Sequence, residues 1–138
     1  MTDALNWLEL SRSDLIHNLA GVRRLVGSRR LVAVLKANAY GAGAVGMARV
    51  LSANGVDAFA MANVAEAVEL RTAGIAGMIL VLTYFTRGEV EAICEHDLSA
   101  TLFTREAAQM VEERARANGK PASVWVKIDS GLNRLGVP

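Results

Sequence analysis

Cysteine, histidine and net charge are all scarce in this sequence. Cys94 is the single cysteine among 138 residues, so no internal disulfide and no multi-cysteine metal site can form. Its setting, EVEAICEH, reads as an amphipathic helix, and a buried inert thiol fits there better than a nucleophile. The two histidines, His17 and His96, stand on helical patterns with no second ligand three or four residues further along the chain. They are read as structural or surface groups, and no metal site is expected. The formal net charge is +1, with acids and bases interspersed, so neither a basic stripe nor an acidic tail exists and nucleic acid is not an expected partner. No run approaches the roughly 20 apolar residues of a membrane helix, so no membrane partner is expected. The opening MTDALNWLELSRSDL has neither a basic n-region nor an apolar h-region. The expectation is therefore a cytoplasmic protein.

What is present is apolar and globular. Hydrophobic residues make up 52% and charged residues 21%, too much apolar content for disorder. The length is that of one domain, able to bury about two-thirds of its unfolded surface. The chain is organised around LVAVLKANAYGAG, residues 31–43. Its apolar run, rich in Val and Leu and closed by Asn and Gly, predicts a strand buried on both faces, with small turns after it. Lys36 then falls at the carboxyl end of that strand, where loops converge to build sites in α/β folds. From position alone the commoner reading is a solvated charge that ends a strand. The sharper one is an amine that desolvation favours in its neutral form, ready to attack a carbonyl and form a Schiff base.

Before this stretch, residues 5–10 alternate weakly and predict a short strand. Ser11 then caps a helix, with Asp14 as a capping-box variant and Leu15, Leu19, Val22 and Val26 forming one apolar face that ends at Gly27. After it, strands are predicted at 31–35, 57–61, 78–82, 99–103 and 123–128, and helices at 43–54, 64–73, 87–96 and 105–118. Asn63 with Glu66 and Thr86 with Glu89 mark helix starts, and Gly55, Gly74 and Gly119 mark stops. Strand followed by helix at such intervals predicts an α/β fold of parallel βα repeats. A closed (β/α)₈ barrel takes around 250 residues. Residues 1–138 are therefore expected to form a partial TIM barrel with about five of its eight strands, preceded by a short N-terminal strand and helix, as a fragment that stops inside the motif DSGLNRLGVP.

On this assignment the strand ends present Lys36, then Ala62 and Asn63, then Leu82 to Tyr84, then Thr104, then the loop holding Asp129 and Arg134. Asn63 and Thr104 are read as helix caps rather than site residues. Tyr84 is equally readable as a site-facing phenol or a packing residue. Without further information Arg134 is a loop cation and Lys127 an ordinary strand residue.

KANAYGAG resembles the KANAYGHG signature of the alanine racemases, pyridoxal-phosphate enzymes with a barrel of the fold-type III kind. It departs at Ala42, where that family usually shows His. VWVKIDSGLNRLGV, residues 124–137, is similar to the family's K-x-D-T-G-M-x-R-x-G segment, with Ser130 and Leu132 in place of Thr and Met. The stretch around Glu66, Ala67, Leu70, Arg71, Ala73 and Gly74, followed by residues 79–82, resembles a scaffold region of the same family. So does the opening, with Trp7, Glu9, His17 and Asn18, whose strand in that family belongs with a C-terminal β domain.

The resemblance implies pyridoxal 5'-phosphate as cofactor and interconversion of L- and D-alanine as activity, with Lys36 forming the Schiff base and acting as one of two bases. It implies that Tyr40 hydrogen-bonds the phosphate and that Leu82 packs near the cofactor ring. Arg134 would contact the cofactor and the substrate carboxylate, a role suited to a permanently charged fork of donors. Lys127 would be a carbamylated lysine that holds that arginine. Full-length members are homodimers with shared active sites, where a tyrosine of the neighbouring subunit's C-terminal domain supplies the second base. That tyrosine is not in this sequence, so the chain alone is expected to be inactive. The alternatives are a non-catalytic module that binds the cofactor and a structural fragment that needs a complementary chain.

Overall fold

The computed structural model describes residues 6–138. Helix α1, Arg12–Val26, begins where the Ser11 hydroxyl accepts the Asp14 N–H at 3.2 Å, and stops at Gly27, whose positive φ of 62° turns the chain out of the helix. Five parallel strands follow: β1 (Ala33–Val34), β2 (Ala58–Met61), β3 (Met78–Val81), β4 (Ser99–Leu102) and β5 (Val124–Val126). They pair in chain order, each with the next. Between them lie the short turn α2 (Lys36–Tyr40), α3 (Ala44–Ala53), α4 (Val64–Thr72), a 3-10 turn η1 (Arg87–Glu89) running into α5 (Val90–Glu95), and α6 (Arg105–Asn118). Each parallel connection needs a crossover, and right-handed crossovers between successive neighbours put every helix on the same side of the sheet. This is the (β/α) barrel arrangement, opened at two edges.

The register sorts the strand residues into two faces. Phe59, Met61, Ile79, Val81, Ala100 and Leu102 belong to the core that also holds Ala48, Leu51, Val64, Ala67, Leu70, Ile93 and Val111 of the helices. The opposite face carries the row Val34, Ala60, Leu80 and Ser99, then Thr101 and Trp125. It is smaller and more polar. The Ser99 and Ser123 hydroxyls pair at 2.9 Å, and the Thr101 hydroxyl donates to the Val81 carbonyl, so these buried groups are satisfied within the sheet.

Three sequence expectations change. The strand predicted over residues 31–35 is regular only at Ala33–Val34, although Leu35 N–H still donates to Ala60 O at 3.0 Å. It is not buried on both faces, since Val34 is exposed: every helix lies on the other side. The strand predicted over 5–10 does not form at residues 6–10, and Leu5 lies outside the described residues. A strand exists only by pairing, and among the described residues no strand lies beside this segment; Trp7, Leu8 and Leu10 stay exposed. The helix predicted over 87–96 divides into η1 and α5. Its start is a complete capping box: the Glu89 carboxylate accepts both the Thr86 N–H and the Thr86 hydroxyl, each at 2.8 Å.

At the amino ends of the strands one side chain ties several segments together. Arg71 of α4 donates to the carbonyls of His96 (2.8 Å), Ile75 (2.8 Å), Gly77 (3.0 Å) and Asp97 (3.0 Å). The carboxyl ends are thereby left to loops, free of this scaffolding.

Candidate functional site

Lys36 follows β1 directly and is half-buried, while Tyr40, four residues on, is 69% exposed. Between them the backbone does what the sequence did not announce. Ala37, Asn38, Ala39 and Tyr40 have φ of 51°, 53°, 54° and 56°, a turn of left-handed helix built from non-glycine residues. Each such residue costs about 1–2 kcal/mol, so the turn exists only because its surroundings hold it. Ala39 N–H donates to Leu35 O (2.8 Å), and Gly43 N–H to Asn38 O (2.9 Å). The Asn38 side chain accepts Ala44 N–H at 2.8 Å, which caps the following helix α3 from inside the turn. Ala39 is buried in the core. Gly41 and Gly43 continue the positive φ at 93° and 89°, where a side chain would add strain.

Glu66 is the group that sequence reasoning passed over as scaffold. Its pairing with Asn63 was read as a helix start, and half of that holds: Asn63 Oδ1 accepts the Glu66 N–H at 3.0 Å. The Glu66 carboxylate does not reach back to complete a capping box. One oxygen accepts Ala62 N–H and the other accepts Ala37 N–H, both at 2.9 Å. The loop after β2 is thus stitched to the residue next to Lys36. No spacing in the sequence signals a bond across 29 positions.

The remaining rim follows the sequence more closely. Thr104 accepts Ala107 N–H at 3.1 Å, so it caps α6, as Asn63 caps α4. Leu82 is half-buried at the end of β3, where its N–H donates to Met61 O (2.9 Å), and the Thr83 hydroxyl donates to Ala62 O (2.7 Å). Tyr84 is exposed, which removes the packing reading and leaves its phenol in solvent. Ala42 faces an apolar groove with Leu10, Leu15, Met47 and Val50. Cys94 is half-buried on α5, and burial raises its thiol above the ordinary value; the Arg114 cation opposes this and the Glu91 carboxylate adds to it. An inert thiol results.

After β5 the chain folds back on itself. Asp129 N–H donates to Val137 O and Val137 N–H to Lys127 O, both at 2.8 Å, closing the loop that holds Arg134. Inside it, Asp129 Oδ1 accepts the N–H groups of Gly131 (3.0 Å) and Asn133 (3.1 Å). These backbone donors, Gly131 first, hold the Asp129 carboxyl below its ordinary value. Gly136 has a φ of 142°, and a Cβ there would meet Asp129 N at 2.5 Å, so only glycine closes this loop. Lys127 is half-buried and Arg134 exposed.

Lys36, Glu66, Ala62, Leu82 and Thr83 are therefore brought together at the ends of adjacent strands. Lys127 and Arg134 stand beyond β5, at the far edge of the sheet. Sequential parallel βα units with a half-buried lysine at the carboxyl end of the first strand define a barrel-type α/β frame whose chemistry sits at its rim. Within that class the chain belongs to the alanine racemase N-terminal domain family, whose profile matches residues 10–138.

An alanine racemase of Methanococcus maripaludis is 37% identical over 131 residues, which covers 94% of this chain and 35% of that protein. The structure of alanine racemase from Clostridium difficile 630 in complex with cycloserine superposes with a TM-score of 0.96 at 36% identity, over 100% of this chain and 38% of that one. Histidine racemase from Leuconostoc mesenteroides subsp. sake gives a TM-score of 0.86 at 31% identity, over 94% and 35%. The chain thus spans little more than a third of the length of these relatives.

Proposed function

We propose that residues 1–138 form the N-terminal part of a pyridoxal-phosphate-binding barrel domain in a cytoplasmic alanine racemase. The observation that carries this reading is Lys36, half-buried at the end of β1 and fixed by a left-handed turn, in a member of the racemase family. The residues present suit the cofactor's demands: an amine for its aldehyde, a phenol for its phosphate and an apolar side chain for its ring. Lys36, Tyr40 and Leu82 supply these in turn. When bound, the group supplies an electron sink that acidifies the substrate α-carbon.

Lys36 Nζ would take the substrate α-proton from one face and return it there in the reverse direction. Arg134 pairs its fork of donors with the substrate carboxylate and touches the cofactor. The ends of the first and fifth strands of an eight-stranded barrel face each other across its mouth, so Lys36 and Arg134 would reach the same bound group from opposite sides. A carbamylated Lys127 would place a carboxylate beside that arginine and fix its orientation. Proton transfer at the opposite face is assigned to a tyrosine of a partner subunit in a homodimer. Alanine is the substrate that the relatives' names support, and the histidine racemase is a related protein named for a larger side chain.

The test is to mix the purified chain with pyridoxal phosphate, reduce with borohydride and map the label. Label concentrated on Lys36 rather than on Lys120 or Lys127, the other lysines, is the expected result. Label spread evenly over the three would overturn the assignment. By itself the chain is expected to racemise L-alanine no faster than background. Conversion that Lys36→Ala abolishes would show that one base suffices.

A further inference from the structure

We infer that Glu66 is a positioning residue for Lys36, a role that rests on the cofactor reading above and deepens it. Three observations meet at this side chain. Both of its carboxylate oxygens are committed to backbone donors, Ala37 N–H and Ala62 N–H at 2.9 Å each, on loops that follow two different strands. Ala37 is the first left-handed residue of the turn, directly after Lys36, so the bond grips the backbone where the handedness reverses. The glutamate itself is fixed from below, because Asn63 caps its N–H and α4 packs Val64, Ala67 and Leu70 into the core. A carboxylate is suited to this task because it is acceptor-only and offers one oxygen to each donor.

Without it, the turn from Ala37 to Tyr40 would lose the bond at Ala37 itself, keeping only the Ala39 bond back to Leu35 O on the lysine side and the Asn38 bonds on the far side. The right-handed conformations that alanine and asparagine prefer then become accessible at Ala37. Lys36 and Tyr40 would no longer be held in one relative orientation. The core depends on it less, since Val64, Ala67 and Leu70 of α4, and not Glu66, belong to that core.

The experiment compares the unmutated chain with Glu66→Ala and Glu66→Gln. Amide exchange at Ala37 and Ala62 is read by NMR, and Lys36 label by borohydride reduction of the pyridoxal-phosphate mixture. Glu66→Ala is expected to speed exchange at both amides at least tenfold and to lower the share of label on Lys36 several-fold. The exchange of core amides such as Phe59 should remain close to that of the unmutated chain, and the melting temperature should fall by only a few degrees. Glu66→Gln keeps one acceptor oxygen and should restore part of both. Unchanged exchange at Ala37 in Glu66→Ala would overturn the inference, as would faster exchange with Lys36 labelling unaltered. If Lys36 takes no label in the unmutated chain, the cofactor reading fails, and with it the positioning role; the exchange data then report the clamp as purely structural.

Discussion

Single residues in this protein act mainly through the backbone. Asp129 illustrates it: a half-buried carboxylate whose value is lowered first by the N–H groups of Gly131 and Asn133 and least by the Lys127 charge. Because its folded value is lowered, the loop's stabilisation is fully present above the ordinary value of 3.8 and is lost as pH falls from there through the folded value. The Gly131 and Asn133 amide shifts should therefore titrate together, with a midpoint below 3.8, and Asp129→Ala should abolish the titration. A midpoint at or above that value would contradict the backbone origin. Lys36 and Arg134 could be singled out in the sequence because each sits in a run of characteristic neighbours, and their roles remain proposals. Glu66 was not, because its partners at positions 37 and 62 become neighbours only when β1 and β2 pair.

Among elements, the helices were read closely and the first strand was not. Helix limits follow from local caps such as Ser11, Asn63 and Thr104, each bonding an N–H three residues on. Strand limits depend on pairing, and β1 has only β2 beside it. The left-handed turn after β1 was unreadable for a further reason: alanine, asparagine and tyrosine all favour the right-handed region, and tertiary bonds override them.

At the opposite ends of the strands, Arg71 joins α4 to the segments before β3 and β4 through four carbonyls. Charged donors to the backbone are worth more than neutral ones, so Arg71→Ala should cost about 3 kcal/mol, a melting temperature lower by roughly 10 °C. Arg71→Lys should recover less than half, because an ammonium cannot reproduce the planar fork. Full recovery with lysine would mean that charge alone matters there.

For the molecule as a whole, the consequence of sequential pairing is an open edge. Strand β5 leaves Trp125 48% and Val126 66% exposed on opposite faces, with Ile128 and Leu132 exposed beyond it. Unpaired backbone beside apolar side chains is a template for association. The chain is expected to elute from size exclusion above its monomer mass, and Val126→Lys with Ile128→Lys to return it to monomer with unchanged circular dichroism. A monomeric unmutated chain would show that the edge is protected. The sequence by itself determined the alternation of five strands with the main helices and the two motifs that point to racemase chemistry, because periodicity, caps and short motifs are local. Only the tertiary structure decided the handedness of the turn behind Lys36, the partners of Glu66 and which strand faces stay bare. Those depend on which segments become neighbours, and a bond between residues 37 and 66 has no existence until the sheet has formed.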